Sequence, residues 1–302
     1  ATMAPTNEEA EELFELYRPR HWTHGCDHPD PVVETTSLAF VSPPPFPSMD
    51  TQLPGIRPSA VAHKTLSALQ LESVAYASMR HEQTLEGPDG ATAGFFIGDG
   101  PGVGKGRQLA AIIVENWLKG CKRHVWLSVS PDLEHDARRD INDLVSKMDG
   151  INIPLFALSK QSYRDITKPV GVLFSTYSAL VAKEGLNAAE KDLQAAIDEG
   201  DDDAQAAAAA SGAANKRTRL EQIARWMAGS GKASSMGCLL FDECHKAKNL
   251  LPNASGGGAS QTAKAVLELQ ELLPKARVVY CSATGASSVR NLAYMVRLGL
   301  WG

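Results

Sequence analysis

Five short apolar runs punctuate the chain: FFI at 95–97, HVWLSVS at 124–130, GVLFSTY at 171–177, CLLFD at 238–242 and RVVYCSA at 277–283. They are rich in β-branched and aromatic residues, too short for core helices, and nearly continuous in hydrophobicity rather than alternating. Between them apolar residues recur at helical spacing. LAAIIVENWLKG at 109–120 closes on a glycine, DLEHDARRDINDLVSKM at 132–148 opens on Asp132 as an N-cap, and LEQIARWMA at 220–228 is a third helix. Strands buried on both faces and joined by helical crossovers form a parallel sheet between two helical layers. The expected fold class is α/β, three layers around a mostly parallel sheet.

The remaining segments break this rhythm. Residues 1–60 read as an N-terminal extension packing on the core: residues 8–17 have an amphipathic helical pattern, then HWTHGCDHPDPVVETT and the proline-rich VSPPPFPSMD form an extended strap. The core lobe spans 61–302. It is interrupted at about 186–215 by a low-complexity insertion, acidic, then alanine-rich, then basic, expected to be poorly ordered or partly helical surface. NASGGGASQ at 253–261 reads as a flexible loop.

Composition narrows the classes. Five scattered cysteines with no Cys-x-x-Cys pair argue for a reducing compartment and against a disulfide framework. A net charge of −5 means that nucleic-acid contact, if made, needs a local groove. No apolar run reaches membrane-spanning length, and the acidic N-terminus is not a secretory signal.

The strongest chemical signal is GDGPGVGKGRQ at 98–108, between a strand and a helix. Gly100, Gly102 and Gly104 let the backbone curl, so that amides through Val103, Gly104, Lys105, Gly106 and Arg107 face phosphate oxygens. The following helix adds its positive end, and Lys105 places a charge on the β- and γ-phosphates. A phosphate loop normally follows its lysine with Ser or Thr, whose hydroxyl ligates magnesium. Gly106 cannot, so magnesium is expected to rest on Asp242, phosphate and water. CLLFDECHKAKN at 238–249 delivers Asp242 and Glu243 at a strand's C-terminal end, Asp242 for magnesium and Glu243 as the group that orients and deprotonates water. YCSATGAS places Ser282 and Thr284 where their hydroxyls can hydrogen-bond the acidic pair and couple to its state. Gln70, in LSALQLESVAYA, has an amide able both to donate to and accept from an adenine edge. Ser130, Ser175 and Thr176, with Arg138 or Arg139, are candidates for a nucleic-acid backbone, although the arginines equally suit an exposed helix face. His21, His24, Cys26 and His28 form a dense cluster, but without the spacing of a standard zinc finger.

The order Gln70, Gly-Lys, Ser-Pro-Asp-Leu, Ser-Thr-Tyr, Asp-Glu-Cys-His, Ser-Ala-Thr resembles that of superfamily-two helicases. FFIGDGPGVGKGRQ, LSVSPDLEHDARRD, VLFSTYSAL, FDECHKAKN, SATGASSVRNLAYMVRLGLWG and HPDPVVETTSLAFVSPP resemble the P-loop domain of the strawberry notch family. Gly106 also belongs to that family's pattern. The resemblance implies a RecA-like lobe binding ATP and Mg2+, in a nuclear helicase-like ATPase that acts on nucleic acid or chromatin with transcription-related partners. It further implies a second RecA-like lobe, for which the sequence after Ser282 is too short, so that lobe is expected in cis in a parent protein or from a partner. A nucleotide-dependent interaction module with little turnover is the alternative.

Overall fold

The computed structural model describes residues 14–48, 51–162, 165–182, 218–229, 236–251, 260–284 and 289–300. The insertion at 186–215 and residues 253–259 of the glycine-rich loop lie outside them.

Besides a single helical turn at Thr36–Ala39 and short 3-10 turns, the elements in chain order are β1 (Phe14–Leu16), β2 (Val33–Thr35), α1 (Arg57–His63), α2 (Ala68–Arg80), β3 (Phe95–Ile97), α3 (Lys105–Leu118), β4 (Arg123–Ser128), α4 (Leu133–Val145), β5 (Leu155–Ala157), β6 (Gly171–Thr176), α5 (Tyr177–Leu180), α6 (Arg219–Ala228), β7 (Cys238–Asp242), α7 (Gln261–Leu272) and β8 (Arg277–Cys281). Six of the strands form one sheet in the order β3-β8-β7-β4-β6-β5, parallel at every pairing. Successive side chains of a strand face opposite ways. Trp126, Leu240, Phe174 and Val279 accordingly enter one core with α1 to α4, while Val125, Leu127, Phe241 and Tyr280 enter a second with α5 to α7. Both faces are buried, which is why these strands read as continuous apolar runs.

α3 carries its buried residues almost all round, including Leu109, Ile112, Ile113 and Val114. A helix apolar on every side must be covered on every side. The sheet covers one flank and α2 and α4 the others. Gly120, at φ 93°, closes α3 as the glycine predicts, donating to Trp117 O at 3.1 Å. Asp132 occupies the N-cap of α4 but makes no side-chain cap, and the hydroxyl of Ser130 accepts from Asp132 N instead (3.4 Å).

The N-terminal region departs from its helical reading. Phe14–Leu16 is a strand paired antiparallel with Val33–Thr35. Phe-Glu-Leu and Val-Glu-Thr also alternate with period two, and pairing satisfies both backbones where a short isolated helix is marginal. Residues 41–48 have no regular structure, as their prolines require. Phe46 meets Trp22 edge to face and stacks on Tyr76 of α2, and Tyr76 donates to Pro44 O at 2.9 Å. The buried carboxylate of Glu115, on α3, accepts the backbone N–H of Gly55 (3.1 Å) and Ile56 (2.8 Å), tying the entry to α1 onto the helix that follows the phosphate loop.

The strap is docked tightest at Gly25. Its φ is +114°, and a Cβ there would lie 2.7 Å from Ala68 N. That approach lets Cys26 N donate to Leu66 O (3.3 Å) and Ala68 N to Cys26 O (2.8 Å). Gly25→Ala is expected to destabilise the chain by about 1–3 kcal/mol through strain and displaced pairing. Thermal unfolding monitored by circular dichroism checks this, and an unchanged Tm contradicts it.

Candidate nucleotide site

In-register pairing sets the site. Ile97 is paired with Cys281, and Cys281 with Asp242. Leu127 is paired with Phe241 and Ser128 with Thr176, so the ends of five strands form one row along the C-terminal edge of the sheet. Open parallel sheets bind ligands along that edge. Here an open cleft of about 670 Å3 is lined by Gln70, Lys105, Gly106, Asp140, Asp242 and Glu243 among others.

The loop after β3 is curled by two left-handed glycines, Gly102 (φ 89°) and Gly104 (φ 82°), the latter forming the N-cap of α3. Gly100 has no positive φ and no close neighbour, so it is not a required glycine in this conformation. Lys105 Nζ donates to Asp99 O (3.1 Å) and Gly100 O (3.0 Å), which folds the lysine back over the loop. Gln108 Nε2 holds the Asp99 carboxylate at 2.7 Å.

Gln70 is buried against this loop. Its Oε1 accepts from Ser67 N (3.0 Å) and its Nε2 donates to Val103 O (2.9 Å). A Cβ on Gly104 would come within 2.5 Å of that Nε2, so glycine is required there for contact as well as for φ. The Gln70 carbonyl is therefore committed to the capping box of α2 and one amide hydrogen to the loop. The Arg107 guanidinium donates to Thr65 O (3.3 Å) and Asp143 Oδ2 (2.5 Å), leaving its backbone N–H as its contribution to a phosphate cradle.

Across the cleft, Asp242 Oδ2 accepts from Ser128 Oγ (3.0 Å), and its Oδ1 accepts from Glu243 N (3.0 Å). Tyr177 OH donates to Asp242 O at 2.8 Å. Burial pushes the Asp242 carboxyl above its ordinary range; the Ser128 hydroxyl opposes that shift and neighbouring Glu243 adds to it. Glu243 sits at φ 48°, a left-handed conformation that a non-glycine residue enters at a cost of about 1–3 kcal/mol. Its Oε2 lies 3.2 Å from His245 Nδ1, which is 3.1 Å from Ser282 Oγ. Ser282 Oγ is in turn 3.1 Å from Thr284 Oγ1, and Ser282 N donates to Ile97 O (3.1 Å) at the root of the phosphate loop. The two hydroxyls thus reach the acidic pair through His245 rather than directly.

The three nucleic-acid candidates differ in access. Ser175 is buried, its hydroxyl on Thr176 O (3.3 Å), while Thr176 Oγ1 caps α5 by accepting from Ala179 N (3.2 Å). Ser130, in the loop after β4, is partly exposed. Arg138 pairs with Glu134 (2.6 Å) and Arg139 with Asp136 (2.7 Å), both along α4. Among the described residues no three His, Cys, Asp or Glu side chains converge as metal ligands. In the N-terminal cluster, His24 Nε2 lies 3.2 Å from Arg57 Nη1, His28 Nδ1 bonds the backbone of Asp30, and Cys26 Sγ donates to Leu66 O (3.4 Å). Cys26, Asp27, His28 and Pro29 instead form one wall of the nucleotide cleft.

Sequence reasoning passed over His245, Tyr177, Trp126, Asp140 and that wall. The histidine was visible in Asp-Glu-Cys-His, where it follows the acidic pair by two. Tyr177 closes the Ser-Thr-Tyr motif; the others come from a strand interior, a neighbouring helix and the extension, and have no local signature.

The fold and this site define a RecA-like P-loop NTPase lobe, and such a fold binds nucleotide. The chain belongs to the P-loop containing NTP hydrolase pore-1 family, whose family model matches residues 27–302, and it is similar to the strawberry notch proteins along almost its whole length. It is 43% identical over 97% of its length to Protein FORGETTER 1 of Arabidopsis thaliana. It is 44% identical over 96% of its length both to Protein strawberry notch of Drosophila melanogaster and to strawberry notch homolog 2 of Homo sapiens. It spans only 20%, 16% and 18% of those three proteins. Among solved structures it is similar to the DUF1998 helicase MrfA (TM-score 0.47, 12% identity, 82% of this chain and 31% of that one). It is also similar to S. cerevisiae Dbp5 bound to RNA and ADP BeF3 (TM-score 0.45, 14% identity, 80% and 47%). Among the described residues no helix is long and apolar enough to cross a membrane.

A testable consequence concerns Asp242. Its folded pKa is raised, so the folded chain holds that proton more tightly than the unfolded one. The group's contribution therefore improves as pH falls toward the folded value and is least favourable at neutral pH, where a charge is buried. Asp242→Asn keeps an acceptor for Ser128 and removes that charge. The nucleotide-free variant is expected to melt above wild type at pH 7, with the gain shrinking as pH is lowered. Equal Tm values at pH 7 contradict it.

Proposed function

We propose that the chain is the ATP-gripping half of a helicase-like motor that acts on nucleic acid or chromatin. The observation that carries this reading is the placement of Lys105 and the curled loop across one cleft from Asp242 and Glu243. In this reading the phosphates rest on the backbone amides of 102–107 at the positive end of α3, and Lys105 turns from the carbonyls of Asp99 and Gly100 to meet them. Gln70 holds the loop and keeps an amide hydrogen for the base, beside the wall formed by 26–29. The residues fit a magnesium ion: both Asp242 oxygens keep lone pairs beyond their single hydrogen bonds, and a buried carboxylate is stabilised by a cation. Magnesium would neutralise charge on the phosphates. Asp242 would hold it, Glu243 would orient and deprotonate the attacking water, and His245 with Ser282 and Thr284 would carry the state of Glu243 to the root of the loop.

A second RecA-like lobe, in the parent protein or a partner, would complete the site. Arginine fingers contribute about 10³–10⁵ in rate, so this chain alone would turn ATP over slowly. Ser130 and Thr176, at the ends of β4 and β6, are the candidates for a phosphate backbone, with Ser175 acting through its backbone. Family membership supports a nuclear, transcription-related setting. Gly106 favours a second reading, a nucleotide-dependent interaction module with little turnover.

Two outcomes are expected. In the isolated chain Lys105→Ala removes ATP binding measured by calorimetry; undiminished binding refutes the phosphate assignment. In the full-length protein RNA, DNA or nucleosomes stimulate steady-state ATPase, and Glu243→Gln abolishes turnover while retaining nucleotide. Equal rates in wild type and mutant refute the motor, and retained binding with negligible, unstimulated turnover in wild type favours the interaction module.

A further inference from the structure

Gly106 lies in the first turn of α3, where φ is ordinary and a side chain would be tolerated by the backbone. The obstacle is Asp140. A Cβ built on Gly106 would lie 2.7 Å from Asp140 Oδ2, a carboxylate oxygen reaching across from α4. It stands beside the point where any side chain at 106 would begin. The space left by the missing side chain is therefore filled by an oxygen from another helix.

Asp140 is only 8% exposed, and its ion pairs are long and confined to one oxygen. Its two arginine neighbours both approach Oδ1, Arg139 at 3.5 Å and Arg107 at 4.0 Å. Each has a nearer carboxylate, Asp136 at 2.7 Å for Arg139 and Asp143 at 2.5 Å for Arg107. Oδ2, the oxygen against Gly106, has no hydrogen-bond partner among the described residues. Asp140 lines the same cleft as Lys105, Asp242 and Glu243. On the same wall, Trp126 is 2% exposed and lines the cleft, and its indole N–H faces the Asp242 carboxylate without closing a well-formed hydrogen bond to it.

We propose that Asp140 replaces the hydroxyl that Gly106 lacks and is, with Asp242, the second protein carboxylate holding the magnesium of a bound nucleotide. Two carboxylates completed by phosphate oxygens and water match how magnesium is held at nucleotide sites. Gly106 and Asp140 then form a unit, the one small so that the other can reach the ion. The inference rests on the nucleotide reading above.

The test measures the affinity of the isolated chain for a fluorescent ADP analogue with magnesium and again with EDTA, taking the ratio as the magnesium-linked gain. Asp140→Asn is expected to reduce that gain about tenfold or more while affinity in EDTA is unchanged or improved, since a negative charge near phosphate has gone. Gly106→Ser alone is expected to lose both gain and Tm by steric conflict, and Gly106→Ser/Asp140→Ala to regain both. A wild-type gain preserved in Asp140→Asn overturns the proposal, as does a folded double variant that recovers none of it. No nucleotide binding by wild type, with magnesium or with EDTA, overturns the nucleotide reading itself, which separates the two failures.

Discussion

Parallel register is the constraint on which this lobe depends. Each hydrogen-bonded pairing along β3-β8-β7-β4-β6 fixes the next, so Ile97, Cys281, Asp242, Ser128 and Thr176 come to the same edge. A slip of one residue in β7 would turn Asp242 to the other face and bury Glu243. The two apolar cores prevent such a slip: Trp126, Leu240 and Val279 must face α3, while Leu127, Phe241 and Tyr280 must face α7. Hydrophobic pattern thus sets register, and register sets the chemistry.

On that frame the site collects unfavourable features. Asp242 and Asp140 are carboxylates pushed toward protonation by burial, and Glu243 is held left-handed. The buried carboxylates disfavour the empty fold, and a bound cation would stabilise them. Surrounding contacts hold the geometry meanwhile. Gln70 pins Val103, Glu115 ties the extension to α3, and Ser282 links β8 to the root of the loop. The extension belongs to the same arrangement, since Trp22, Leu53 and Ile56 are buried in the core that surrounds α3.

Much of this was legible in the chain. The strand runs, the Gly-Lys loop and Asp-Glu at a strand end are local patterns, and local pattern determines local structure. Phe95–Ile97 and Cys238–Asp242 occur where their hydrophobicity places them. What escaped depends on contacts between distant segments. Residues 26–29 became a cleft wall only because Gly25 lets the strap approach Ala68. Phe14–Leu16 became a strand because a partner at Val33–Thr35 was available. The Asp140 oxygen beside Gly106 comes from a residue a whole strand and helix away, with nothing in the spacing to announce it.

Hydrogen exchange of the backbone amides, with and without ADP and magnesium, tests the central claim most directly. The account predicts that nucleotide slows exchange in 99–107, at 26–29 and around 242–245, and leaves α6 and α7 unchanged. Protection absent from 99–107, or concentrated on the opposite face of the sheet, would contradict it.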